Sequence, residues 1–305
     1  MGQKRRKEKI ESDRSRPRKA KPSTKLKARG PKTRGSLRVS QTQTRAATRR
    51  VHVAFDHALL SSSVDRSPDN LVQQGSSPNF VVSYDSSLGQ AGAVIANYLV
   101  SACEYDYGQT QPLFGVVPAG LPFQVRVVYS SGGAWHDEPC TNTAISVGAL
   151  STNPPDPTFF RMLVLSEVVE VMEASLGNGW GCAQSHGEAL SRVIPDDLVK
   201  WKKPINYLSA GCWLNSPRVD WVDNTENTDQ DYVSIGCGVL FLNWMRFQLN
   251  IPWDAIISAG SSTLGETYAK LTGTGNGYAS FRTLVDARFP VGIPVNLTAD
   301  NVFPL

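Results

Sequence analysis

Along the first half of the chain, apolar residues alternate with polar ones in some stretches and recur at helical spacing in others. Residues 79–85, "NFVVSYD", and residues 122–130, "PFQVRVVYS", alternate and predict two half-buried strands. Between them, residues 88–115 place their apolar side chains at helical spacing and predict a long helix. Residues 132–150 then predict a loop followed by a third, short strand.

From residue 158 onward the apolar period is helical. It predicts helices in residues 159–177, 187–194, 231–250, 251–260, 263–273 and 278–290. The third of these is apolar nearly all round, which is typical of a buried helix. We therefore expect residues 79–305 to form one α+β domain, with a small mixed sheet and a mainly helical C-terminal half.

Charge divides the chain into a basic tail and an acidic body. Residues 1–50 hold 19 of the 31 Lys and Arg but only 3 of the 27 Asp and Glu, a balance of +16, whereas the remaining residues have a balance of −12. The tail lacks aromatic residues and apolar periodicity, so it cannot offset chain entropy by burying apolar surface. We expect residues 1–50 to be disordered, and residues 51–78 to form a linker or poorly ordered segment.

The basic tail predicts a polyanionic partner. Lys and Arg side chains that meet phosphates release counterions, so such binding depends on salt rather than on sequence. The partner would be a nucleic acid, another polyanion or a nuclear-import receptor, and the alternative is a solvated extension without a role. The candidate polyanion-binding residues are Lys4, Arg5, Arg6, Lys7, Arg16, Arg18 and Lys19.

Deleting residues 1–50 should therefore remove most of the binding of RNA or DNA, and the loss should be largest at low salt, where phosphate contacts are strongest. The measurement compares the full chain with residues 51–305 at low and at moderate salt. Equal binding by the two proteins would show that the tail is not the electrostatic element.

No stretch of the sequence approaches the roughly 18 apolar residues of a membrane-spanning helix, and the N-terminus is too basic for a signal peptide. We expect no membrane partner, and we favour an intracellular location, which would be nuclear in a eukaryote. The five cysteines contain no CxxC pair, which excludes a cysteine-built zinc finger. Most should be buried small hydrophobic residues, although one pair, with Cys140 and Cys182 as candidates, could be oxidised in an extracellular relative.

Four glutamates lie in a predicted helix-turn-helix, residues 163–193, and three of them are candidate site residues. Glu167 and Glu170 lie one turn apart on the first helix, and Glu188 begins the second.

The order of strand, helix, short mixed sheet and helical half is similar to that of the zincin metallopeptidases. In those enzymes a helix carries HExxH, whose histidines bind zinc and whose glutamate activates the bound water. This chain has "SEVVE", residues 166–170, at the corresponding place.

The body from residue 79 resembles a family of uncharacterised, mostly bacterial proteins that are gluzincin-like, are related to metallopeptidases, and have xExxE in place of HExxH. The landmarks of this resemblance are "EYDYGQTQPLFG", "AGLPFQVRVV", "GGAWH", "SEVVEVM", "NGWGCAQSHGEALSRV", "DYVSIGCGVLFLNWMRFQLN" and "TLGETYAKLTG". It implies a zincin-like fold in which Ser166 and Glu170 occupy the histidine positions. Glu167 then matches the catalytic glutamate and Glu188 the third ligand. His136 would lie in a loop at the edge of the substrate cleft, where a histidine is more often a surface residue than a catalytic one.

The ligand chemistry of Ser166, Glu170 and Glu188 argues against zinc, which prefers imidazole or thiolate to several carboxylates. Calcium or magnesium accepts carboxylates and water, so Glu170 and Glu188 could hold one of these ions, with His186 nearby as an adventitious ligand for a softer metal. Alternatively, Arg192, one turn after Glu188, could neutralise the pair Glu170 and Glu188, or one of the carboxyls could stay protonated through a raised pKa. A purely structural role for the acids is the remaining interpretation.

Three classes of function are consistent with the sequence. The first is a degenerate zincin-like, non-peptidase binding or structural module, with a protein or peptide ligand in the cleft and a polyanion-binding tail. The second is a hydrolase of peptidase-like ancestry that uses Glu167, Glu170 and Glu188, with or without a divalent cation. The third is a viral capsid-like protein with an RNA-binding arm, which requires eight strands and an all-β body.

Overall fold

The structure is a computed structural model that describes residues 70–150, 156–199 and 209–305. All of these residues belong to one unit of the chain, Phe55–Leu305. The predicted tail, the predicted linker up to residue 69 and all the candidate polyanion-binding residues lie outside the described residues.

Five strands form one mixed sheet in the order β1-β2-β3-β5-β4. They are β1 (Leu71–Ser76), β2 (Phe80–Asp85), β3 (Phe123–Tyr129), β4 (Ala134–His136) and β5 (Ala144–Ala149). The three central strands are parallel, whereas β1 and β4 pair antiparallel at the two edges. Phe123, Val125 and Val127 of β3 are buried and the residues between them are not, because successive side chains of a strand point to opposite faces.

The described residues contain eight α-helices. They are α1 (Gly89–Phe114), α2 (Pro157–Leu176), α3 (Ser185–Val199), α4 (Ala210–Leu214), α5 (Tyr232–Asn243), α6 (Trp253–Ser258), α7 (Leu264–Thr272) and α8 (Gly277–Arg288). Helix α1 connects the parallel strands β2 and β3, and α5 continues into a π-helical turn, Trp244–Gln248. Helix α2 packs between α1 and α3, and α3 packs in turn on α5.

Local sequence fixes both ends of α2 and its contact with α1. The side chain of Asp156 accepts a hydrogen bond from the backbone N–H of Thr158 at 3.0 Å, and Gly177 ends the helix in the left-handed conformation at φ 61°. In the middle, Arg161 donates to buried Asp106 of α1, with Nε 2.7 Å from Oδ2. This charged pair sets the position of α2 relative to α1.

The α+β class, with a mixed sheet and a helical C-terminal half, is confirmed. The described residues do not form the all-β body of eight strands that the capsid-like alternative requires, because the sheet has five strands and helices follow it. Within the described ranges, none of the helices combines the length and the apolar character needed to cross a bilayer.

Two strands differ from what the sequence predicts. Strand β1, "LVQQGS", lies within the segment predicted as a linker, so the sheet begins before the predicted domain boundary at residue 79. As an edge strand it has mostly exposed residues and gives no alternating signal. Strand β4 has only three residues, which is too short for a period to be recognised.

Candidate functional site

Helix α2 carries three glutamates into the protein interior. Glu167, Glu170 and Glu173 are 8 %, 7 % and 0 % exposed. They recur every three residues and so lie along one side of the helix, while Val168, Val171 and Met172 pack in the core. Because burial removes the water that stabilises a carboxylate, this stripe requires positive charge or protons.

His136 contacts this stripe from the edge of the sheet. Its Nδ1 lies 2.9 Å from Oε2 of Glu167 and 3.8 Å from Oε2 of Glu170, and only 8 % of its side chain is exposed. Strand β4 fixes this position, because His136 pairs there with Ile145 of β5. The three side chains offer ligand atoms within 4.8 Å of one another. The sequence places His136 in a loop at the cleft edge, whereas the structure makes it a strand residue bonded to Glu167.

Burial raises the pKa of Glu170 well above its ordinary value, and the charges of Glu167 and Glu188 raise it further. A hydrogen bond from Ser191 and the charge of Arg192 act in the opposite direction without reversing the effect. Glu170 therefore favours a proton, or a cation in place of the proton, at neutral pH.

Glu188 approaches from α3. Burial raises its pKa to about 7; the charge of Arg192 opposes the rise and that of Glu167 adds to it. The Nη2 atom of Arg192 lies 4.0 Å from Oε2 of Glu188, one helical turn away, and its guanidinium lies over the ring of Tyr232. Arg192 therefore neutralises the negative charge of Glu188 only in part. The structure thus brings Glu167, Glu170 and Glu188 into one electrostatic cluster, although Glu188 is outside the tight group around His136.

Glu173 continues the stripe into the core. Neither of its carboxylate oxygens has a hydrogen-bond partner among the described residues. Burial raises its pKa well above the ordinary value, and the charges of Glu170 and Glu188 add to the rise. The close approach of α3 requires glycine at position 187, since a Cβ there would clash with the carbonyl oxygen of Gly181 and lie 2.9 Å from Oε2 of Glu173.

Two predicted site residues do not join the cluster. His186 is buried with both ring nitrogens occupied, Nδ1 by Thr225 Oγ1 at 2.8 Å and Nε2 by the carbonyl of Gly179 at 3.0 Å. It lies two residues before Glu188, and such positions face opposite sides of a helix. Ser166 is half-buried on α2 and makes no side-chain hydrogen bond within the described part of the chain.

A disulfide joins Cys140 and Cys182, whose Cα atoms are 6.2 Å apart. Cys140 follows β4 and Cys182 precedes α3, so the bond ties together the two loops beside the cluster. The two sulfur atoms and a ring nitrogen of His136 lie within 4.8 Å of one another. These are the two cysteines that the sequence singles out as a candidate pair. Disulfides are typical of oxidising compartments, in contrast to the intracellular location that the N-terminal composition favours.

Sequence reasoning missed the contact between His136 and Glu167, although the sequence contains a weak signal for it. The tripeptide "AWH" precedes a predicted strand by a polar loop, residues 137–143, which is longer than the two to five residues typical of a hairpin. A hairpin would make this tripeptide an edge strand and its last side chain a candidate to face the helix that follows. The three-residue length leaves no alternation from which that direction could be predicted.

Comparison of the chain with models of known protein families, with curated proteins and with solved structures finds no match. The zincin-like relationship therefore stays a prediction.

Proposed function

We propose that the body is a cation-dependent hydrolase in which His136, Glu167 and Glu170 hold one divalent cation between β4 and α2. The observation that carries this proposal is the position of His136 Nδ1, which lies 2.9 Å from Glu167 Oε2 and 3.8 Å from Glu170 Oε2. One imidazole and two carboxylates are a donor set that divalent cations accept.

The charge balance supports a cation at this place. Three buried glutamates face a single imidazole and the partly paired Arg192, and the pKa of Glu170 is raised, so the side chains do not compensate its negative charge fully. A divalent cation would compensate it. Calcium and magnesium suit the carboxylates alone, but the imidazole shifts the expected preference toward Mn²⁺, because first-row transition ions accept nitrogen as well as oxygen.

Such a cation would supply a water molecule with a lowered pKa. Glu188, with its pKa raised to about 7, is suited to accept and return a proton near neutral pH. Arg192, 4.0 Å away, would hold that carboxylate in place. The resemblance to zincins makes a peptide the first substrate class to test.

The non-peptidase binding or structural module is the second candidate function. It is favoured by the low exposure of the cluster, since only about a tenth of the side chain of Glu167 or Glu170 is accessible. A cation held there would then join β4 to α2 without meeting a substrate.

We expect the purified full chain to bind one Mn²⁺ more tightly than Mg²⁺ or Ca²⁺, as measured by calorimetric titration after chelation and dialysis. Glu170→Gln and His136→Asn each remove one ligand and should weaken binding by roughly 10- to 100-fold or more. Glu266→Gln, at an exposed position on α7, is the matched control and should bind like the wild type.

A mixture of fluorogenic peptides then separates the two functions. The hydrolase predicts cleavage that depends on Mn²⁺ and is lost in Glu188→Gln while the cation stays bound. Cation binding without cleavage would favour the binding module. Binding that is unchanged in both Glu170→Gln and His136→Asn would show that the cluster is not the cation site.

A further inference from the structure

Cys140, Cys182 and His136 form a second group of potential ligands, which shares His136 with the carboxylate cluster. Their ligand atoms lie within 4.8 Å of one another. Cys140 and Cys182 are half-buried, so a small reductant can reach the disulfide, whereas the side chain of His136 is only 8 % exposed. The loops that carry the two cysteines are each anchored, one by β4 and the other by α3.

We propose that the reduced protein binds one thiophilic divalent cation, such as Zn²⁺, through the thiolates of Cys140 and Cys182 and the imidazole of His136. Two thiolates and one imidazole are a donor set that zinc prefers, and three protein ligands leave the fourth tetrahedral position to water. The proposal does not rest on the cation site of the proposed function, because its ligands include the two sulfur atoms. It shares with that site His136 as a ligand and Glu167 as the residue that contacts His136.

The redox chemistry is that of thiol–disulfide exchange. A dithiol reductant gives two electrons and two protons; the S–S bond between Cys140 and Cys182 breaks, two thiols form, and the reductant leaves as its own disulfide. Binding of the cation then releases the two thiol protons to solvent, since the thiolate is the ligand. The oxidised protein has no thiolates at this place, so the bond between Cys140 and Cys182 decides whether the site exists.

Glu167 would position the ring of His136 in this site. Its carboxylate lies 2.9 Å from Nδ1, which leaves Nε2 as the nitrogen for the metal. A carboxylate that accepts the other ring N–H fixes the tautomer and increases the basicity of a histidine ligand, and losing it costs roughly 10- to 100-fold in metal affinity. Glu167 is therefore expected to be a positioning residue for zinc.

The test uses the full chain, reduced with a dithiol that is then removed under oxygen-free gas, and Co²⁺ as the probe. Co²⁺ bound to thiolates gives a charge-transfer absorption band in the near ultraviolet, which Zn²⁺ should abolish by displacement. We expect one equivalent of Co²⁺ to give this band in the reduced protein and none in the oxidised protein. Cys140→Ser and Cys182→Ser should lose it, and His136→Asn and Glu167→Gln should weaken binding.

Two control variants make the result specific. Cys212→Ser changes an exposed cysteine outside the disulfide and should keep the band. Glu170→Gln removes a ligand of the proposed hydrolytic site but none of the thiolate site, so the thiolate charge-transfer band of the reduced protein should persist in this variant. The variant therefore distinguishes failure of one proposal from failure of the other. The thiolate site is refuted if the reduced wild type gives no band, or if the band persists in Cys140→Ser. Loss of the far-ultraviolet circular dichroism on reduction would also refute it, because the site needs the folded body.

Discussion

Replacing two residues of α2 together, Ser166→His with Glu170→His, is expected to raise the affinity of the body for Zn²⁺ by roughly two orders of magnitude. The two positions are four residues apart and so lie one turn apart on the same side of the helix. The change recreates HExxH with Glu167 inside it. The carboxylate of Glu170 lies 3.8 Å from Nδ1 of His136. A zinc ion bound by imidazoles at positions 166 and 170 would therefore have His136 or Glu188 nearby as its third ligand.

The matched control is Glu266→His with Lys270→His on α7, which creates an exposed pair of histidines at the same spacing. Two exposed histidines provide two ligands and no third, so the difference in zinc affinity between the double variants isolates the contribution of the cluster. Competition with a chromophoric chelator measures both. Equal affinities in two folded variants would mean that α2 does not present residues 166 and 170 as a zincin active-site helix does, and the resemblance would lose its main support.

Glu173→Gln is expected to flatten the dependence of stability on pH. Burial raises the pKa of Glu173 in the folded protein. Below the ordinary pKa of a glutamate, both folded and unfolded states are protonated and the residue contributes no pH dependence. Above it, the unfolded chain ionises while the folded protein keeps its proton. The free energy of unfolding then falls by up to about 1.4 kcal/mol for each pH unit until the folded pKa is reached.

The measurement is urea unfolding of wild type and Glu173→Gln from pH 4 to pH 8 in the presence of a chelator. The wild type should lose stability faster as the pH rises, and the gap between the two proteins should widen toward pH 8. Glu170 and Glu188 also have raised pKa values, so the variant should keep part of the slope. Parallel curves would show that Glu173 has the same proton affinity in both states, contrary to its burial without a partner.

The sequence predicts those parts of the fold that have long periodic segments. The buried helix α5 and the alternating strands β2 and β3 are recognisable because many consecutive residues repeat one pattern. Strand β1 is not recognisable, because an edge strand with exposed polar residues resembles a linker. Its place in the sheet depends on pairing with β2, which no local pattern specifies.

The candidate site was predictable on its helical side only. Spacing along α2 places Glu167, Glu170 and Glu173 on one side, and this follows from the helical period alone. The contact with His136 is different, since 31 residues and the whole of β5 separate it from Glu167. His186 shows the converse: it is close to Glu188 in sequence, but Trp180, Thr225 and the carbonyl of Gly179 hold its ring elsewhere.

The disulfide also turns a stretch of the backbone into a covalent ring. Cys140 and Cys182 are 42 positions apart, and the ring that they close contains β5, α2 and therefore Glu167 and Glu170. In the chain-entropy model, closing a ring of this size removes conformations from the unfolded chain worth about 4 kcal/mol. His136 and Glu188 lie just outside the ring, close to its two ends. Even in the unfolded oxidised chain, the two ends of this segment remain tethered. The bond therefore holds His136 near the segment that leads into Glu188 and shortens the chain path from His136 to Glu167.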